Sequence, residues 1–178
     1  MHLGNSCNFL ILSALLIFSG ELSSKTKQIS YGIEEYGQEK LLSLQGFGIV
    51  KLQGTKVVDS LEVNGELDAH GCELGRVKVN GYGLLENCLV KKRVVVQGVL
   101  EATNTQFYDQ VVLASEQTIF ENCSLAGIQV RESGKDEIVE LKGKSIVSGA
   151  IKFDSGRGIV IKGSEVEFSG KLIGGTFQ

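Results

Sequence analysis

The 178-residue sequence contains no proline, no tryptophan and only two histidines. A chain without proline has no proline-rich linker, and its backbone N–H groups are all available to strand ladders. Positive charge is not in excess either, because 18 Lys and Arg stand against 21 Asp and Glu. Nucleic-acid binders need clustered basic charge to neutralise phosphates. The composition therefore argues against nucleic acid as a partner.

Long apolar runs are also scarce, and the clearest one is residues 9–18 near the N-terminus. A short polar segment precedes this run and small residues follow it, which is the order of a secretory signal. Ten residues rise about 15 Å as a helix, half of a bilayer core of about 30 Å. We therefore predict that residues 1–24 are a signal peptide and that the protein is exported, to a periplasm or outside the cell. No Lys or Arg precedes the run, so an uncleaved membrane anchor through residues 9–18 and a cytoplasmic chain stay open as alternatives.

Glycine is abundant, with 23 residues, and much of it belongs to a recurring unit of the form apolar–x–apolar–x–Gly. The third position of the unit is apolar in all eight copies, and the fifth is Gly in six. The copies begin at Leu42, Leu61, Val77, Val94, Val111, Ile128, Ser145 and Val166. Apolar alternation of period two excludes a helix. A repeat of about 17 residues predicts an all-β, single-stranded parallel β-helix of about eight coils over residues 42–178. An antiparallel sandwich is the alternative.

A second column of residues runs in the same frame. It reads Gly71-Cys72, Asn87-Cys88, Asn104-Thr105 and Asn122-Cys123. Gly and Asn tolerate positive φ, so we expect a left-handed corner there, followed by an inward Cys or Thr. Cys72 and Cys88 would lie on adjacent coils, where an exported chain could form a disulfide, although buried free thiols are the simpler expectation. Because no C-x-x-C spacing occurs, we predict no metal and no cofactor.

Three segments depart from the frame. Residues 25–41 precede the first copy, and Ile33, Tyr36 and Leu41 suggest that they form a cap over the first coil. The charged stretch 131–137 replaces the glycine of the sixth copy, so we expect it to bulge outward. The four extra residues before the eighth copy predict a surface loop at 154–158.

The titratable residues do not form a recognisable catalytic group. By column counting, His70 stacks beside Glu86 on the outer surface, with no nucleophile partner. The acidic side chains are scattered over different coils: Asp59, Asp68, Asp109, Asp136 and Asp154. Glycosidic chemistry needs paired carboxylates in a cleft. We therefore predict that the protein is not an enzyme, and a carbohydrate-active β-helix enzyme is the least favoured alternative.

Self-association is the partner prediction. The second position of the unit points outward, and Val95, Val112 and Ile146 there suggest an apolar stripe for lateral pairing, unless these β-branched residues only favour strands. The last coil, with Phe168 and Leu172, ends in a strand edge on which a second chain could stack end to end.

The repeat resembles that of the bactofilins in copies such as 61–67, 94–100 and 166–172. The resemblance covers residues 42–173 and implies a right-handed β-helix core and a polymer-forming, cytoskeletal role in bacteria. It implies no site residues, because its motif is a fold signature. A monomeric module that binds an envelope protein or a glycan remains the alternative function.

Overall fold

The computed structural model describes residues 27–115, 117–134 and 137–178. The predicted signal peptide, residues 1–24, lies outside the described residues, and so do Cys7 and Asp136. No helix long and apolar enough to cross a membrane occurs in the described part of the chain.

These residues contain 18 strands and no helix. The first turns are long strands and the later turns are divided into short ones. The bounds are β1 Gln28–Tyr36, β2 Lys40–Gln53, β3 Lys56–His70, β4 Glu73–Glu86, β5 Leu89–Val90, β6 Val94–Thr103, β7 Gln106–Phe107, β8 Val111–Ala114 and β9 Gln117–Glu121. They continue as β10 Ser124–Leu125, β11 Ile128–Val130, β12 Ile138–Lys142, β13 Ile146–Val147, β14 Ile151–Phe153, β15 Gly158–Lys162, β16 Glu167–Phe168, β17 Leu172–Ile173 and β18 Gly175–Phe177.

The strands form a parallel β-solenoid, as the repeat predicts. Each turn pairs in parallel with the turn before and after it, for example β2 with β3 and β3 with β4. The stack has about nine turns, with equivalent residues about 17 apart. At the parallel inter-strand spacing of about 4.8 Å, nine turns make a rod about 40 Å long.

The core is a stack of inward-facing residues, of which each complete turn supplies three pairs. In the third turn these pairs are Leu61 and Val63, Leu67 and Ala69, and Cys72 and Leu74, all essentially buried. The residues between them face outward, so alternation of period two along a single strand is what separates core from surface. Burying such pairs in every turn is the main stabilising term of the fold.

The register corrects three of the eight predicted copies. Leu44, not Leu42, pairs with Leu61, and Leu42 is exposed beside a register shift. Further along, Ile128 pairs with Ile151, which pairs with Leu172. The copies that begin at Ser145 and Val166 therefore continue the Cys123 column. The predicted frame is displaced by two residues at Leu42 and by six at Ser145 and Val166. A displacement by an even number of residues keeps the same face inward, so alternation alone does not separate these frames.

A glycine ladder forms one corner of the early turns. Gly48, Gly65, Gly81 and Gly98 stack directly on one another, with φ between 123° and 137°. A Cβ on any of them would lie 2.0 to 2.2 Å from the carbonyl oxygen of the glycine in the preceding turn. Only glycine fits there, both in conformation and in space. This explains the fifth position of the repeat in three of the predicted copies.

The predicted cap is itself a turn of the solenoid. Strand β1 pairs in parallel with β2 over its whole length, so nothing in the pairing marks a boundary at residue 41. Tyr36 and Leu41 are buried, as a cap requires, but Ile33 is 68% exposed and covers nothing. The extra turn raises the count from about eight to about nine.

The two predicted loops lie where the frame breaks, between β11 and β12 and between β14 and β15. Glu137 joins them. Its buried carboxylate accepts a hydrogen bond from the Ser133 N–H at 3.0 Å and another from the Ser155 hydroxyl at 2.6 Å. The carboxylate thereby links the two longest insertions to each other.

Candidate functional site

The cysteine column is structural. Cys72, Cys88 and Cys123 are all buried, and all three thiols are free. The Cys72 and Cys88 thiols each donate to backbone carbonyls, Cys72 to His70 at 3.3 Å and Cys88 to Glu86 at 3.2 Å. The Cys88 sulfur also accepts a hydrogen bond from the Cys72 N–H at 3.4 Å. The two side chains are thus direct neighbours with free thiols, and the candidate disulfide stays a prediction.

Protonated thiols suit this role. Burial raises the pKa of Cys123 to about 11. The neighbouring Cys72 thiol, together with burial, raises the pKa of Cys88 above the ordinary thiol range. A thiol that stays protonated at neutral pH is a donor and a poor nucleophile. Cys88 and Cys123 thus act as donors, whereas a hydrogen bond with the Cys88 thiol lowers the pKa of Cys72 to about 7.

The same column continues with hydroxyl groups, and together they form what we call the corner ladder: Thr55, Cys72, Cys88, Thr105, Cys123 and Ser145. The Thr105 hydroxyl donates to the carbonyls of Leu85 and Thr103 and accepts from the Cys88 N–H at 3.2 Å. Ser145 does the same for the Cys123 N–H at 3.1 Å. Just before the residues of the corner ladder, the chain turns through a residue with positive φ. Asn87, Asn104 and Asn122 are three of these residues, as the sequence predicts. Small donor side chains therefore satisfy buried backbone groups at the corner.

His70 lies between two carboxylates. The spacing of the repeat predicts one of these neighbours, Glu86. Its Nδ1 is 3.0 Å from Glu86 and its Nε2 is 2.6 Å from Asp68. It borders a shallow depression of about 410 Å³ together with Lys51 and Tyr36. Both imidazole nitrogens thus face carboxylate oxygens, and the buried Asp68 Oδ1 accepts no hydrogen bond from the described residues.

The other acidic residues are paired separately. Asp59 forms an ion pair with Lys92 at 3.0 Å, and Asp154 forms one with Lys152 at 2.8 Å. Asp109 accepts a hydrogen bond from the N–H of Gln110 within its own turn. Across the described residues, no group of three or more His, Cys, Asp or Glu is placed to hold a metal ion. Such isolated surface pairs do not make a catalytic centre.

The predicted lateral stripe is not an exposed surface. Val95 and Val112 do stack on adjacent turns, but Val112 is only 2% exposed. Ile146 is 43% exposed, yet it pairs with Ser124 and Glu167 and so belongs to a different column. The shifted frame of the seventh copy is the reason for this error. A charge placed at Val112 would test folding and not pairing.

The last turn, residues 166–178, carries the other predicted interface residues. Phe168 and Leu172 are partly buried and pack against the core. Phe177 lies edge-on to Phe168, with ring centroids 5.5 Å apart, and is still 45% exposed. Among the described residues, strands β16, β17 and β18 pair only with the preceding turn. The far side of this turn is therefore an unpaired, apolar strand edge.

The first turn, β1, shows a feature that sequence reasoning missed. Its register places Gln28, Ser30 and Glu34 in columns whose members in the next turns face inward, while Ile29, Tyr31 and Ile33 face outward. The apolar side chains of β1 thus lie outside, whereas its inward columns hold the half-buried Gln28, the buried Ser30, the exposed Glu34 and the buried Tyr36. Extending the repeat back by 16 residues from Leu44 would have revealed this.

An exposed aromatic pair lies on the outer face of these first turns. The rings of Tyr31 and Phe47 stack with centroids 5.4 Å apart and an interplanar angle of 12°. Tyr31 is 71% exposed, and Ile33 lies beside it on the same strand. The outward column continues with amides, since Asn64 and Asn80 follow Phe47 in register.

Comparisons of the chain with protein-family models, with curated proteins and with solved structures found no match.

Proposed function

We propose that this protein is a non-enzymatic structural element that self-associates end to end through the last turn of its solenoid. The observation that carries the proposal is the unpaired edge of β16, β17 and β18, where Phe168, Leu172 and Phe177 close the core incompletely. An unpaired edge of this kind is a template for another chain. The resemblance of the repeat to the bactofilin repeat supports a polymer-forming or scaffold role, and the predicted export gives it a periplasmic or extracellular setting.

A dilution series in sedimentation equilibrium tests this proposal. The wild-type chain is expected to show concentration-dependent association. Phe177→Lys is expected to be monomeric at every concentration, because it places a charge against an apolar surface that would lose its water. Ile146→Lys is the matched control, since Ile146 is equally exposed in the middle of the rod, and it should associate like wild type. A wild-type monomer throughout the series contradicts the proposal.

A second candidate function is a surface module that binds an envelope protein or a glycan. The observation that favours it is the exposed stack of Tyr31 and Phe47 beside the outward amides of Asn64 and Asn80. Aromatic faces with neighbouring amide donors and acceptors suit a ligand rich in hydroxyl groups. Calorimetric titration with purified polysaccharides should detect binding that Tyr31→Ala removes. Equal heats for both chains would exclude this face.

A further inference from the structure

The two ends of the solenoid differ in chemistry, and this difference decides how copies can stack. At the C-terminal end, the inward positions are held by Phe168, Leu172 and Phe177. At the N-terminal end, the inward positions of β1 include Gln28, Ser30 and Glu34. The end at β1 is thus more polar than the end at β18, with the buried Tyr36 as its apolar inward residue and Glu34 exposed.

The register specifies what a head-to-tail contact would bring together. Following the pairs turn by turn, Leu172 stands in the column of Gln28, and Phe177 stands in the column of Glu34. A second copy that continued the stack would therefore place the Glu34 carboxylate on the Phe177 ring. Burying a carboxylate without a partner is strongly unfavourable. Glu34 forms no ion pair with the described residues, whereas its neighbour Glu35 is 3.4 Å from Lys51.

We propose, resting on the end-to-end self-association above, that two copies join by their last turns about a two-fold axis and that assembly stops at this dimer. The last turn has three sides, formed by β16, β17 and β18. A partner that pairs with all three sides must have strands arranged along the same three sides, and a second copy of this chain has them. Its apolar edge meets an apolar edge, and antiparallel pairing across a two-fold axis is an ordinary strand pairing.

Charge agrees with the two-fold arrangement. The last turn presents both signs, through the exposed Glu167 and Lys171, so a two-fold axis can place opposite charges across the contact. The first turn carries both signs as well, through Lys27 and Glu35, and what distinguishes it is the carboxylate of Glu34 in an inward column, unpaired among the described residues. Within the described residues, the dimer thus leaves the two β1 ends, each with Glu34 in an inward column, facing outward.

Cross-linking of variants that carry one added, exposed cysteine distinguishes the possible contacts. In the proposed dimer, two copies of Thr176→Cys lie at one interface, so a short bis-maleimide should cross-link this variant to itself. The three native cysteines in the described residues are buried and compete little. Mixed Thr176→Cys and Ile33→Cys chains should yield no cross-link between the two variants, because that contact is head to tail.

Replacing Glu34 tests why assembly stops at the dimer. Sedimentation velocity of the wild type should show monomer and dimer only. Glu34→Val, which restores the residue type of its column, should produce species larger than the dimer, whereas the outward control Glu35→Val should stop at the dimer like wild type.

The outcomes separate this inference from the proposed function. The inference is supported if the wild type stops at the dimer, if Thr176→Cys cross-links to itself, and if Glu34→Val forms species larger than the dimer. An open series of oligomers, or cross-links only between positions 176 and 33, would overturn the closed dimer and keep self-association. Arrest of Glu34→Val at the dimer would overturn the role given to Glu34. A strictly monomeric wild type would overturn both proposals.

Discussion

Replacing Gly81 by alanine should destabilise the protein strongly, because two costs coincide at this corner. The backbone has φ of 137°, a conformation that costs non-glycine residues about 1 to 3 kcal/mol. The new Cβ would also lie 2.1 Å from the carbonyl oxygen of Gly65, where backbone must move and neighbouring ladder hydrogen bonds must lengthen. We expect a total loss of about 3 kcal/mol or more, which lowers Tm by about 6 to 12 °C for a chain of this size.

Gly71 provides the matched comparison, because it shares positive φ but not the crowding. Its φ is 63°, and a methyl group added to its Cα would have no neighbour within 4 Å. Gly71→Ala should therefore cost about 1 kcal/mol, and Gly71→Asn should cost close to nothing, since Asn87, Asn104 and Asn122 adopt φ of 49° to 53° at equivalent corners.

Thermal and urea unfolding of the full chain, followed by far-ultraviolet circular dichroism, measure these differences. If Gly81→Ala costs no more than Gly71→Ala, the close stacking of the glycine carbonyls is refuted.

Three further predictions concern the corner ladder and the surface. Thr105→Val should lose about 1 to 3 kcal/mol in urea unfolding because buried backbone groups lose their partner, whereas Thr105→Ser should lose less, and equal losses would contradict the hydrogen-bonding role. Cys123 should resist iodoacetamide at pH 7 and react only on unfolding, since burial raises its pKa to about 11; rapid native labelling, followed by mass spectrometry, would count against this. Lys56 and then Lys91 lower the pKa of Glu73, so its ion pairs contribute above the unfolded value of about 4.3 and are lost as pH falls. Glu73→Gln should therefore cost at most about 1 kcal/mol at pH 7, and the difference should disappear as the pH falls through the lowered pKa of Glu73; a pH-independent difference would refute the ion-pair origin.

The sequence predicted most of the fold because the solenoid repeats its physical requirements in every turn. Inward apolar pairs, a positive-φ corner and a small buried donor recur at one period, so the corners at Asn87, Asn104 and Asn122 could be placed from the repeat alone. Alternation of period two has a limit, however. A shift by an even number of residues preserves the face, and for this reason the frames at Leu42, two residues off, and at Ser145, six residues off, were wrong.

The candidate site was less accessible to sequence reasoning, because it depends on which turn neighbours which. Val112 and Ile146 both occupy outward positions of the predicted repeat, yet one is buried and the other lies on another column. In β1 the apolar residues Ile29, Tyr31 and Ile33 alternate as core residues do, and it is the register with β2 that shows that they face outward. Alternation reports two faces, but it does not say which face is inside.

Small-angle X-ray scattering over a concentration series tests the central claim most directly. A rod of nine turns is about 40 Å long, and association through the last turn should roughly double the long dimension of the particle while its cross-sectional radius stays constant. Phe177→Lys should keep the short rod at all concentrations. A cross-section that grows with concentration, or a wild-type rod that never lengthens, would contradict end-to-end self-association.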